Sequence, residues 1–238
     1  MGKEFAIRRV CNIDATPEQV WDAVTRGSAG WLWPVDVEPR LGGTSSMGGV
    51  VTAWDPPRHF ANRMEGEDGW FNSLEHVIEP GEGGGTTLRY VHSGIFVDDW
   101  DNQYDGAGLH TDFYLDALAK CAQYFTGRSA KYVSLEREAV AADPNAMRTL
   151  LGGLGLSPDV AAGDVAKVEL PGPGTQEVIV DFASEHFLGL RTDDAMYRFF
   201  IRNKWQQPFG LSLHLFDDAI SADESGKAWT GWLASTFA

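Results

Sequence analysis

Two histidines stand in a pattern that could do chemistry. In Leu74-Glu75-His76-Val77-Ile78 and Leu88-Arg89-Tyr90-Val91-His92, apolar and polar residues alternate, as on strands with one covered face. The alternation puts His76 and His92 on the apolar face with Leu74, Ile78, Leu88 and Tyr90. If the glycine-rich loop 81–85 closes a symmetric hairpin, Ile78 faces Leu88, His76 faces Tyr90, and His92 lies diagonally from His76. Both imidazoles are then within reach of one ligand or water. Such a pair can anchor a polar group or serve as general acid and base; it can equally be two hydrogen-bonded core histidines. A metal would need a third ligand, for which His110 is the candidate, and no metal is assigned.

The other chemistry-bearing patterns lead nowhere. Asp98-Asp99-Trp100-Asp101 with Asp105 lacks the alternate carboxylates and closing glutamate of a calcium loop, and reads as solvated carboxylates before a helix. Gly83-Gly84-Gly85 lies between strands and so forms a hairpin loop, with no phosphate cradle. Gly152-Gly153-Leu154-Gly155 does not spell a dinucleotide fingerprint. No serine sits in a GxSxG context, and neither Cys11 nor Cys121 has a histidine that the sequence assigns to it. No cofactor is expected.

The elements that must position the histidines start with a long amphipathic helix. Residues 105–126 hold no proline, and Thr111, Tyr114, Leu115, Leu118, Cys121, Ala122 and Phe125 recur at three- and four-residue spacing on one face. Gly127 is a natural stop. Before it, residues 5–13 read as a strand, and Thr16-Pro17-Glu18-Gln19 writes a capping box with proline at the first helical position. Strands follow at about 36–41, 48–55, 58–66, 71–79 and 86–95, separated by turn formers. Strand, two short helices, five strands and a long helix, joined this tightly, make an antiparallel sheet that curls around the helix. Diverging layers leave a cavity.

These residues carry a resemblance. The order resembles the helix-grip fold of the SRPBCC superfamily, which includes START lipid-transfer domains, birch-pollen-type allergens and polyketide aromatase/cyclases. The segments 15–21 (ATPEQVW), 38–43 (EPRLGG), 51–58 (VTAWDPPR) and 88–95 (LRYVHSGI) are similar to the family named for the activator of the heat-shock protein 90 ATPase. The likeness covers residues 5–127. It implies a fold and a cavity, and supplies no shared catalytic residues.

The second half repeats the order. A strand at 132–137, a helix opened by Asp143-Pro144, strands at about 165–170, 177–183, 186–191, 196–202 and 211–216, and a closing helix at 222–237 suggest a second, smaller helix-grip-like unit. The rival is an extension that completes the first core. Expected domains are residues 1–128 and a smaller α+β domain at 131–238.

The chain has 238 residues and a formal net charge of −15, with acidic residues in excess in both halves. Neither half offers a basic face, so neither nucleic acid nor an anionic membrane is an expected partner. Two cysteines exclude a disulfide framework. No leader opens the chain and no apolar run approaches ~18 residues, so a cytoplasmic protein is expected. Nine tryptophans exceed core needs. Trp31, Trp33, Trp54, Trp70 and Trp100 fall at loops and strand ends of the first domain, where they either rim a small-molecule cleft or simply pack. The leading expectation is non-catalytic binding of a small hydrophobic or amphipathic ligand, lined by Trp31, Trp33, Trp54, Trp70, His76, Tyr90, His92, His110, Tyr114 and Leu118. The alternatives are a chaperone-linked protein-interaction module, or a cyclase-type enzyme using His76, His92 or Tyr90 for proton transfer.

Overall fold

Alternate residues of β1 (Lys3–Ile13) are buried, Phe5, Ile7 and Ile13 among them, which is what one covered sheet face requires. The computed structural model describes residues 2–97 and 99–238, and the chain divides into two units, 1–127 and 128–238. In the first, α1 (Pro17–Thr25) opens on a complete capping box: Thr16 Oγ1 accepts from the Gln19 amide at 3.3 Å, and Gln19 Oε1 accepts from the Thr16 amide at 2.7 Å. Then come β2 (Val50–Asp55), β3 (His59–Glu65), β4 (Phe71–Pro80), β5 (Thr86–Phe96) and α2 (Trp100–Tyr124). The five strands are antiparallel in the order β1-β5-β4-β3-β2. The first strand closes against the last, and α2 returns over β1 and beside α1. This is the helix-grip arrangement.

Two expectations are corrected. Residues 36–41 form no strand; only isolated bridges, Val37 with Ser45 and Thr44 with Val50, mark the region. Pro39 lacks a ladder donor, and the Glu38 carboxylate accepts from the Thr44 amide at 2.9 Å, so the segment folds back on itself. The long helix starts at Trp100, five residues before the expected start. Gly106 and Gly108 make that end a poor helix by propensity, but it is pinned from outside. Trp100 stacks on Tyr104 at 4.7 Å, its indole donates to the Glu4 carbonyl at 3.2 Å, and Lys3 Nζ lies 3.6 Å from its ring centroid. Asp101 and Asp105 are therefore helical residues; Asp98 lies outside the described residues.

The second unit runs β6 (Lys131–Arg137), α3 (Ala146–Leu154), β7 (Val165–Leu170), β8 (Gly174–Ala183), β9 (Phe187–Arg191), β10 (Ala195–Phe200), β11 (Phe209–Leu215) and α4 (Ala222–Thr236). Its antiparallel sheet has the order β6-β11-β10-β9-β8-β7, again with the first strand closing on the last. The core gathers Leu150, Val180, Leu190, Phe199, Leu213 and Trp229, the last of these buried on α4. A bulge between Val180 and Phe182 leaves Asp181 out of the ladder. Its side chain, 1% exposed, sits between two guanidiniums, 2.8 Å from Arg191 Nε and 3.0 Å from Arg198 Nη2. Among the described residues no helix is long and apolar enough to cross a membrane.

Candidate ligand groove of the first unit

The β4–β5 register is the one a symmetric hairpin predicts: Ile78 opposite Leu88, His76 opposite Tyr90, Leu74 opposite His92. Alternation then puts Leu74, His76, Ile78, Leu88, Tyr90 and His92 on one face, and β1 adds Ile7 beside His92. Along this face burial changes in a graded way. At the end nearest the β4–β5 turn, Ile78 and Leu88 are fully buried. Toward the other end Leu74 and His92 are only half-buried, as are Asn62 and Asn72.

The helix shows the same gradient. Leu115, Leu118, Ala122 and Phe125 are packed, whereas Tyr114, flanked on its own face by buried Thr111 and Leu118, is half-buried. The Tyr114 ring meets Trp33 edge-on at 5.8 Å and lies 6.3 Å from His110. On the sheet, burial pushes the Tyr90 phenol well above its usual pKa, and the nearby Tyr114 phenol adds to the shift. Tyr114, His110 and Trp33 thus gather on the helix side, and Leu74, Tyr90 and His92 share the sheet face.

His76 forms the floor. It is 3% exposed, stacked on Phe60 at 5.8 Å and edge-on to Tyr90 at 5.1 Å. Neither of its ring nitrogens has a well-formed hydrogen bond among the described residues, although the Phe60 backbone acts on the ring, and Nε2 of His92, whose ring meets Phe5 edge-on at 4.9 Å, has none. Burial lowers the pKa of both histidines to about 4; at His76 the Phe60 backbone opposes the shift weakly. Both are neutral near pH 7, each with one donor and one acceptor nitrogen. Unpartnered buried polar atoms are uncommon in proteins.

Trp31 is buried, with its indole donating to the Ala23 carbonyl at 2.9 Å. Trp54 packs in an aromatic cluster with Trp21 and Phe60, at 5.0 and 5.9 Å. The half-buried Trp70 covers Gly66 at the β3–β4 turn. Leu118 is 0% exposed, so no water-sized space touches it and it belongs to the packed core. Phe5 and Asn72 share this sheet face without being expected as site residues, although their alternation with Ile7 and Leu74 carries the signal. No three His, Cys, Asp or Glu residues among those described could hold a metal ion.

Residues 14–123 match the family model described as Activator of Hsp90 ATPase homolog 1-like protein. The first unit is thus similar, over most of its length, to the Aha1-like family of SRPBCC-type domains. Among curated proteins none matches the chain. Among solved structures, CalU16 from Micromonospora echinospora is 20% identical over 51% of this chain and 86% of its own, with a TM-score of 0.40. The Aha1 dimer from Colwellia psychrerythraea is 20% identical over 50% and 96%, with a TM-score of 0.38. DynU16, from the dynemicin biosynthetic locus, is 14% identical over 97% and 95%, with a TM-score of 0.43.

Proposed function

We propose that the first unit binds a small hydrophobic or amphipathic molecule in the groove between β4–β5 and the N-terminal half of α2. The observation that carries this reading is a group of incompletely buried side chains, with Trp33, His110 and Tyr114 gathered at α2 and Leu74 and His92 on the covered face of the sheet. An apolar cleft with a few unsatisfied polar groups is the usual form of a small-molecule site. The rival, a chaperone-linked interaction module, draws only on the family's name, whereas the groove's interior polar atoms favour a ligand. Proton transfer is disfavoured on physical grounds. Imidazoles with pKa values of about 4 are weak bases, and near pH 7 they carry no proton to donate as imidazolium. By the same reading, the second unit, with its matching strand closure, is a degenerate copy of the first.

Native mass spectrometry of freshly purified protein, with displacement of a fluorescent apolar probe, tests the reading. Bound apolar mass, or saturable probe binding that Tyr114→Ala and Trp33→Ala weaken, is expected. Probe binding that neither substitution changes would place the ligand elsewhere, and no binding at all would remove the proposal.

A further inference from the structure

In the second unit, β8 runs on past the end of β9. Arg191, the last residue of β9, pairs with Ile179, whereas Glu177 and Gln176 pair only with Lys167 and Val168 of β7. The turn from β9 into β10 closes on a bond from the Thr192 amide to the Ala195 carbonyl at 2.9 Å. Beside this turn the structure leaves a cavity of about 320 Å³. Its apolar lining includes Pro173, Ile179 and Ile220, and its acidic lining is Glu177, Asp193 and Asp194.

Tyr197 lines the same cavity. The residue is 3% exposed, and its ring lies 5.6 Å from that of Trp229. Its hydroxyl makes no hydrogen bond among the described residues, yet it is not sealed from open space. Burial first, and the nearby Asp194 carboxylate second, push this phenol up to about 12. It is therefore protonated near pH 7, with free lone pairs close to the acidic rim.

The cations around the cavity are already engaged. Arg191 Nε donates to Asp181 at 2.8 Å, and Arg128 Nη2 donates to Asp194 at 2.6 Å. Glu177 and Asp193 have no ion pair among the described residues. An anion entering here would meet unpaired carboxylates and occupied guanidiniums. A bare metal ion does not fit either, because no three His, Cys, Asp or Glu residues among those described could hold one. The acceptors are too widely spread for a point charge. A guanidinium suits them: it is planar, always charged near neutral pH, and spreads five donors over a fork. It can reach the rim carboxylates and the phenol oxygen together while an apolar stem lies on Pro173, Ile179 and Ile220.

We propose that this cavity takes the guanidinium group of a small ligand with an apolar stem, held by Glu177, Asp193 and the Tyr197 hydroxyl. The site is separate from the one proposed for the first unit and stands or falls without it.

The test is calorimetric titration of the full chain at pH 7 and about 0.15 M salt, which screens diffuse attraction to the acidic surface. Three probes share one stem, n-butylguanidine, n-butylamine and butyrate, and magnesium ion is the fourth. Butylguanidinium should bind about threefold or more tighter than butylammonium, and butyrate and magnesium should not bind. Glu177→Gln and Tyr197→Phe should each weaken butylguanidinium by about threefold or more. Tyr197→Phe keeps the ring beside Trp229, and circular dichroism checks its fold. Should that variant fail to fold, Glu177→Gln with the four wild-type titrations decides the matter. Butylguanidinium binding that neither substitution changes would mean diffuse attraction to the acidic chain and would overturn the site. Butyrate or magnesium binding as tightly as butylguanidinium, or no binding of butylguanidinium at all, would overturn it too.

Discussion

His76 and Tyr90 stand directly opposite each other on β4 and β5, with ring centroids 5.1 Å apart and planes inclined at 65°. An enclosed imidazole is thereby held against a phenol whose pKa burial has raised. The pair joins the packed end of the sheet to the open one, and its electrostatics bear on stability as well as on ligands.

Stability should fall as the solution is acidified. The folded pKa of His76 and of His92 is lowered to about 4 from an ordinary value of 6.5. Between those values the unfolded chain takes up protons that the folded chain refuses, so stability is complete above pH 6.5 and drains as pH falls towards 4. The enclosed His76 accounts for about 3 kcal/mol of this, and the half-buried His92 for less. Urea midpoints measured across this range should drop less steeply for His92→Phe than for the wild type. Parallel curves would mean that His92 titrates freely in the folded protein.

Leu118 and Tyr114 should separate core from groove. Leu118 touches no open space, so Leu118→Ala should cost about 2–5 kcal/mol. Tyr114 is only half-buried, and Tyr114→Ala should cost clearly less for its size. Denaturant unfolding of the two variants checks this; a loss at Tyr114 as large as at Leu118 would indicate a filled interior.

In the second unit, Asp181→Ala should destabilise by about 3–5 kcal/mol, because it leaves the Arg198 guanidinium, 1% exposed, without its counter-charge. Replacing Asp181 and Arg198 together by apolar residues of similar volume should recover much of the loss. Chemical denaturation of the single and double variants measures the difference. A single variant as stable as the wild type would show that the pair is not buried in solution.

Thr16→Ala should lower stability by about 1 kcal/mol, because the Gln19 amide at the start of α1 loses its side-chain acceptor. Thr16→Ser should retain most of that stability. A thermal melt of both variants suffices, and equal losses would assign the effect to the methyl group of threonine.

Where local chemistry decides, the sequence was readable. The Thr16–Gln19 capping box, the β4–β5 register and both strand-rich halves follow from capping residues, period-two alternation and turn formers, which act over a few residues. Residues 36–41 misled because their alternation resembled a strand. Whether such a stretch pairs depends on a neighbour, and the Glu38 carboxylate instead ties the Thr44 amide within the same loop. The N-terminal turns of α2 misled in the opposite direction. Gly106 and Gly108 argued against a helix that Lys3 and Glu4, about a hundred residues earlier, hold in place.

By itself, then, the sequence determined which residues of β4 and β5 alternate onto the covered face and that His76 would meet Tyr90. Side-chain direction on a strand has period two and needs no knowledge of the fold. Only the tertiary structure decided which of those residues line open space. Leu118 and Tyr114 lie on one helical face, and Trp31 and Trp33 are two residues apart, yet one of each pair is packed and the other half-exposed. The distinction depends on how far sheet and helix have parted at each point, a distance set by all the side chains between them and encoded at no single position.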